Sequence, residues 1–287
     1  MDGIVIVDKP AGWTSQDVTA RLRRVFGTRR IGHGGTLDPL ATGVLPVFVG
    51  RATRAVEFFE SAEKRYVATL LLGRATDTQD ISGATLRACE PHVSLPELEA
   101  VLPPFTGQIE QTPPMYSALK VHGQKLCDLA RRGQEVAREK RAITVFSLEV
   151  LRFAPPRAEL RVHCSKGTYI RTLCADIGES LGCGGCMETL RRTSAGRFSI
   201  EQAVALSDLL SAESPADYLL PVDTLFAELP AVTLTLRQEA RCRNGNAFSL
   251  PLDDGRYRVY ARSGEFLMLG RAENGVMSTV KSFFAAP

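Results

Sequence analysis

The stretch RIGHGGTLDPLATGVLPV, Arg30–Val47, constrains this chain more than any other. Gly32, Gly34, Gly35 and Pro39 make its first part a loop. The apolar run GVLPVFVG that follows reads as a buried strand. A flexible connection therefore feeds straight into the core, and it carries one carboxylate, Asp38. Nothing beside Asp38 supplies a second acid, a serine nucleophile or a set of metal ligands.

Short strand-like runs alternate with helical ones on either side. GIVIVDKPAGWTS reads as a strand ending in a Pro-Gly turn, with Ser15 as N-cap of the helix QDVTARLRRVF. Val18, Leu22 and Val25 share one face of that helix. KRYVATLLLG continues as a strand, RATDTQDISG as a polar turn, and SLPELEAVLPPF as a capped helix stopped by two prolines. QTPPMYSALKVHGQKLCDLARRGQEV mixes prolines, glycines and a basic helical piece, and reads as a mobile excursion. In AELRVHCSKGTYIRTLCADIGESLG, strand alternation (Leu160, Val162, Cys164) passes into a helix with Ile170, Leu173 and Ile177 on one face. Tyr169 and Arg171 then stand at a strand-to-helix junction, where side chains commonly face a site. From about Ala231, Ser263-Gly264 and Asn274-Gly275 separate three alternating segments, the pattern of hairpins. A length of 287 residues holds one large domain or two. The sum is an α+β body with an all-β tail.

Composition narrows the class. No run of about 18 apolar residues predicts a membrane helix, and MDGIVIVDKP lacks the basic and apolar regions of a secretion signal. A cytoplasmic protein is expected. Seven cysteines, an odd number without regular spacing, argue against a disulfide framework. Cys183 and Cys186 form a lone C-x-x-C with no partner ligands, so they read as small buried thiols rather than a zinc site. Charge is unevenly spread. Residues 111–142 hold seven bases against three acids in a chain whose net charge is only +3. Arg21, Arg23, Arg24, Arg29 and Arg30 form a second cluster leading into the glycine loop. Either cluster alone reads equally well as a solvated face; two beside one candidate site point to RNA or DNA.

A lone acid in a turn is most often an Asx-turn or a helix cap. A reacting acid would need to stay ionised in a partly dry pocket, which takes a nearby cation, best of all a bidentate arginine. With no second acid, nucleophilic attack fits better than paired acid–base hydrolysis.

GHGGTLDPLATGVL resembles the signature of the TruB family of tRNA pseudouridine synthases. VDKPAGWTS, EKRYVATLLLGRATDTQD, QTPPMYSALKVHGQKLCDLARRG, SKGTYIRTLCADIG and LRRTSAGRF fit the same family in order, over about residues 3–200. The resemblance implies a pseudouridine synthase fold, with a central mixed or antiparallel sheet flanked by helices, over residues 1–228. It places a basic RNA-binding insertion at about 111–142 and a small PUA-like β-domain, similar in texture only, at 229–287. The implied activity is isomerisation of uridine 55 in the tRNA T-loop, after base flipping, with no cofactor and no metal. The implied partner is the T-arm stem-loop, and the implied state a monomer.

Residue by residue, Asp38 matches the catalytic aspartate, which attacks the ribose C1′, adds to C6 of the base, or deprotonates the sugar. Arg171 matches the arginine paired with it. Tyr66 matches the tyrosine that stacks on the flipped uracil. Leu190 matches an apolar pocket wall, His33 the histidine that fills the gap left by the base, and Tyr169 the pocket lining. Lys120, Arg131, Arg132 and Arg141 are the candidates for phosphate contacts. One departure is GGCMET, where relatives carry a Gly-Ala-His-like run before LRR. Two other readings compete. A non-catalytic tRNA-binding factor would have no need of Asp38, Tyr66 and Arg171 together, and a carbohydrate-active enzyme lacks its paired acids.

Overall fold

The computed structural model describes residues 1–121 and 123–285. β1 (Gly3–Lys9) is followed by α1 (Ser15–Val25), the short β2 (Ile31–His33) and β3 (Thr42–Val49). β1 and β3 pair antiparallel from Gly3 opposite Val49 to Lys9 opposite Gly43. Both faces of this pair are buried: Val5, Val7, Leu45 and Val47 on one side, Ile4, Ile6, Val44 and Phe48 on the other. That is why these strands read as unbroken apolar runs rather than alternating ones.

After the short α2 (Val56–Phe59), β4 (Lys64–Leu72) crosses the molecule. β5 (Arg74–Thr76) and β6 (Thr85–Ala88) form a side hairpin. α3 (Leu95–Val101) begins at Ser94, whose hydroxyl and backbone meet Glu97 in a capping box. β7 (Gly107–Gln111) leads into the insertion, made of β8 (Lys120–Val121), β9 (Gln124–Lys125) and α4 (Leu126–Ala130). The segment read as a mobile excursion has a small core of its own, with Met115, Leu126 and Leu129 buried among Tyr116, Leu119 and Val121. β10 (Arg141–Ala154), β11 (Arg157–Cys164), α5 (Ile170–Ser180), β12 (Gly185–Ala195), β13 (Phe198–Ser199), β14 (Val204–Ala205) and α6 (Leu206–Ser211) complete the body.

The large sheet runs β14-β1-β3-β12-β4-β11-β10-β7, with β2 on β3 and β13 on β12. β1–β14 and β3–β12 are parallel and the other pairs antiparallel, so the sheet is mixed. α1 and α5 cover one face through Val18, Leu22, Ile170, Leu173 and Ile177. The other face meets Phe59, Phe198, Phe226 and Phe283.

Beyond the body, β15 (Ala231–Thr233), α7 (Leu236–Arg243), β16 (Phe248–Ser249), β17 (Gly255–Tyr260), β18 (Phe266–Glu273) and β19 (Val276–Ser282) build a five-stranded sheet ordered β15-β17-β18-β19-β16. The two Gly-containing turns fall between β17, β18 and β19. The tail is not all β, because α7 interrupts it. That helix buries only Cys242, so no apolar period announces it; its start is set by the Thr235–Gln238 capping box. Ser15 is also not the cap of α1. Thr14 is, its hydroxyl accepting from the Asp17 N–H at 3.0 Å. Among the described residues, no helix is long and apolar enough to cross a membrane.

Candidate active site

The glycine loop lacks strand partners for most of its backbone, so buried side chains supply them. Ser15, freed from capping, accepts from Leu37 N at 2.9 Å and donates to Leu37 O at 3.2 Å. On the far side of Asp38, Pro39 O accepts from Gly12 N at 2.8 Å and from Lys9 Nζ at 3.4 Å. Arg192, on β12, reaches Val44 O at 2.7 Å and Gly35 O at 3.2 Å. Gly43 has φ +99° where β3 meets β12, and a Cβ there would lie 2.2 Å from Arg192 O. Asp38 is thus held by main-chain anchors on both flanks.

Replacing Ser15 with Ala leaves both polar groups of Leu37 without that partner. We expect a loss of about 1–2 kcal/mol in urea unfolding; an unshifted midpoint would show that other donors take over.

Lys9 and Arg192 are 0% and 1% exposed. Burial pushes the Lys9 ammonium down to about 8, with Asp38 opposing the shift and Arg192 adding to it. Burial does the same to Lys64, also to about 8, and Arg192 adds to that shift too. The loop therefore rests on a cluster of buried cations.

Arg171 enters from the first turn of α5. Its Nε lies 2.9 Å from Asp38 Oδ2 and its Nη2 3.4 Å from Oδ1. The Nε contact is ionic rather than an aligned hydrogen bond. Nη1 donates to Thr78 O at 3.1 Å and Nη2 to Tyr116 O at 2.8 Å. The polar turn after β4 and the insertion thus both help to aim this guanidinium. Asp80, buried, stands 3.9 Å from Nε and caps its own turn through Thr78 and Ser82. The Arg171 side chain is 5% exposed and that of Asp38 38%. One partner is locked in, and the other keeps an open approach.

The other four candidates lie on neighbouring parts of the same body. Tyr66 is buried on β4, opposite Arg192 on β12 and Val162 on β11. Burial raises its phenol's pKa, with Arg192 opposing. Leu190, opposite Ala68, is buried in the cluster that holds Tyr66 and Leu37. His33 is half-buried, its Nε2 3.4 Å from Gln16 Nε2. Burial first, then the charge on Arg192, lower its pKa and favour the neutral ring. Tyr169 caps α5, and the buried Gln111 amide grips both its peptide groups, accepting from Tyr169 N at 2.8 Å and donating to Tyr169 O at 3.0 Å. Burial raises the Tyr169 phenol's pKa, and Arg141 is among the charges opposing that shift.

All four basic candidates are exposed, and of them Arg141 comes close enough to Tyr169 to act on it. Lys120 sits on the β8–β9 hairpin beside Lys125, and Arg131 pairs with Asp128 at 3.2 Å. Arg132 and Arg141 form no ion pair among the described residues. Arg141 opens β10 opposite Gln111. Cys183 and Cys186 are buried, and among the described residues no cluster of three or more His, Cys, Asp and Glu could hold a metal.

Ser15, Lys9, Arg192 and Gln111 were absent from the sequence-based set. Each serves irregular backbone, a task with no periodic signature. The assembled arrangement presents an oriented carboxylate, able to attack an electrophilic carbon or take a proton, beside an apolar wall and two tyrosines.

Comparison with known proteins bears on the fold and the family. Over 99% of this chain and 85% of the other, a solved Cbf5-Nop10-Gar1 complex superposes with TM-score 0.74 at 28% identity. An H/ACA RNP structure with a substrate RNA containing 2′-deoxyuridine gives 0.74 at 26% identity, over 99% and 86%. A tRNA pseudouridine synthase B from Clostridium kluyveri is 39% identical over 99% of this chain and 100% of its own. One from Dechloromonas aromatica is 44% identical over 96% and 93%. The family model "TruB family pseudouridylate synthase (N terminal domain)" matches residues 23–170, and "tRNA pseudouridylate synthase B C-terminal domain" matches 171–227. With the glycine loop and the helix bearing Arg171 both inside those matches, the chain belongs to the TruB family of pseudouridylate synthases.

Proposed function

We propose that this chain is a tRNA pseudouridine synthase that converts uridine 55 of the T-loop to pseudouridine, acting as a monomer on the T-arm stem-loop. The reaction is an isomerisation. The C1′–N1 bond breaks, uracil turns, C1′ bonds to C5, and the proton lost from C5 is balanced by one gained at N1. The target cannot react while stacked, so it is flipped out of the loop. Asp38 acts at C1′, at C6 or on the sugar proton, and Arg171 holds it aimed. Tyr66 stacks on the uracil, Leu190 and Tyr169 line its pocket, and His33 fills the space the base leaves. The observation that carries this reading is the 2.9 Å ion pair between a locked-in Arg171 and an accessible Asp38. The direct test incubates the protein with an unmodified T-arm stem-loop and maps pseudouridine. Product at position 55 is expected; uridine left intact there refutes the assignment.

The insertion grips the RNA backbone in this reading, and the small β-sheet from residue 229 onward extends the contact. Among the described residues Arg132 and Arg141 have no ion-pair partner to leave. Changing both to Gln is expected to weaken T-arm binding about tenfold and to flatten the plot of log affinity against log salt by about one to two units. An unchanged slope would remove both from the interface.

A further inference from the structure

The arginine cluster at the start of the chain is not used by the site described above. None of Arg21, Arg23, Arg24, Arg29 and Arg30 makes an ion pair among the described residues, and all five are exposed. On α1, Asp17, Ala20, Arg21 and Arg24 follow at i, i+3, i+4 and i+7, a single stripe opposite the buried Val18 and Leu22. That stripe and the Gly12–Trp13 turn border a shallow, open cleft of about 490 Å³. Trp13 packs its inner side on the core while lining this cleft. Asp17 is its one acid, and that carboxylate is engaged by Thr14 N at 3.0 Å and by the Thr14 hydroxyl at 2.6 Å. Two guanidinium groups that make no ion pair among the described residues thus border the same shallow cleft as an indole.

We propose that this cleft is a second RNA-binding site, in which Arg21 and Arg24 hold backbone phosphates and Trp13 takes the face of an adjacent base or ribose. The combination matches how single-stranded or looped RNA is gripped, with cations tracking the backbone and an aromatic plane for a base. Charge complementarity selects the occupant. The stripe presents guanidinium groups and no exposed large apolar side chain for insertion into a lipid surface. The cleft is also joined to the reactive loop. Gly12 N donates to Pro39 O at 2.8 Å, and Trp13 O accepts from Lys9 Nζ at 2.7 Å. RNA in the cleft therefore lies against the same turn that anchors the residue after Asp38.

This inference rests on the RNA-modifying reading above, but its test scores binding and no product, so either can fail alone. Trp13 is the only tryptophan, so its emission reports on the cleft without a label. Titration of the full chain with unmodified tRNA should quench or shift that emission. The double variant Arg21→Gln/Arg24→Gln should bind the same tRNA about tenfold more weakly, with a salt slope flatter by about one to two units. Its melting temperature should match that of the parent, since both arginines are exposed and make no ion pair among the described residues. Trp13→Ala should weaken binding with the salt slope retained, and Trp13→Phe should restore most of the loss. Unchanged emission at saturating tRNA, or unchanged affinity and slope in the arginine variant, would overturn the proposal. So would displacement of tRNA from the cleft by anionic lipid vesicles but not by single-stranded RNA.

Discussion

Asp38→Asn is expected to lower pseudouridine formation by at least about 10⁴-fold, the scale seen when a group that touches the reacting atoms is removed. The substitution keeps the shape and removes the charge. Asn cannot act as the carboxylate on any of the three routes, at C1′, at C6 or on the sugar proton. Binding should survive, because the loop's anchors are main-chain contacts from Ser15, Lys9, Gly12 and Arg192 that the side-chain change does not touch. Single-turnover assays on a T-arm RNA would separate the two effects, with tRNA affinity expected to stay within about threefold of the parent, less than 1 kcal/mol. Turnover at the parental rate would remove Asp38 from the chemistry. A parallel loss of affinity would place it in binding instead.

Arg171→Met is expected to cost about 10³-fold or more in turnover, again with most of the affinity kept. Three groups lose their partner together: the Asp38 carboxylate and the carbonyls of Thr78 and Tyr116. Arg171→Lys makes the sharper comparison. A lysine retains the charge, but its single ammonium cannot span three acceptors as a planar guanidinium does. Partial recovery, to about a tenth or less of the parental rate, is expected if orientation matters as well as charge. Full activity in the lysine variant would show that the positive charge alone suffices.

Much of the body was legible because its strands obey simple rules. β1, β3 and β4 are apolar enough, and flanked by turn residues clear enough, to be found by eye. Asp38 stood out as the one acid in a glycine loop. Its pairing with Arg171, 133 positions away, is a different matter. No local pattern joins those two residues, and only the family resemblance did so in advance. Ser15 was misread for an instructive reason. Thr14 and Ser15 are both good caps, and the choice between them depends on where Leu37 arrives from far along the chain. Lys9 and Arg192 were invisible as buried residues, because long cationic side chains usually lie at the surface. Here the unpaired carbonyls of an irregular loop make their burial tolerable. α7 escaped because a polar helix has no stripe to detect.

The two faces of the large sheet have different neighbours. The reactive loop belongs to the side covered by α1 and α5, whereas the small sheet leans on the reverse side through Phe226, Phe266 and Phe283. Any molecule that reached both the reactive loop and the small sheet would therefore have to pass round the edge of the large sheet, whereas one confined to the loop's side would meet the body alone.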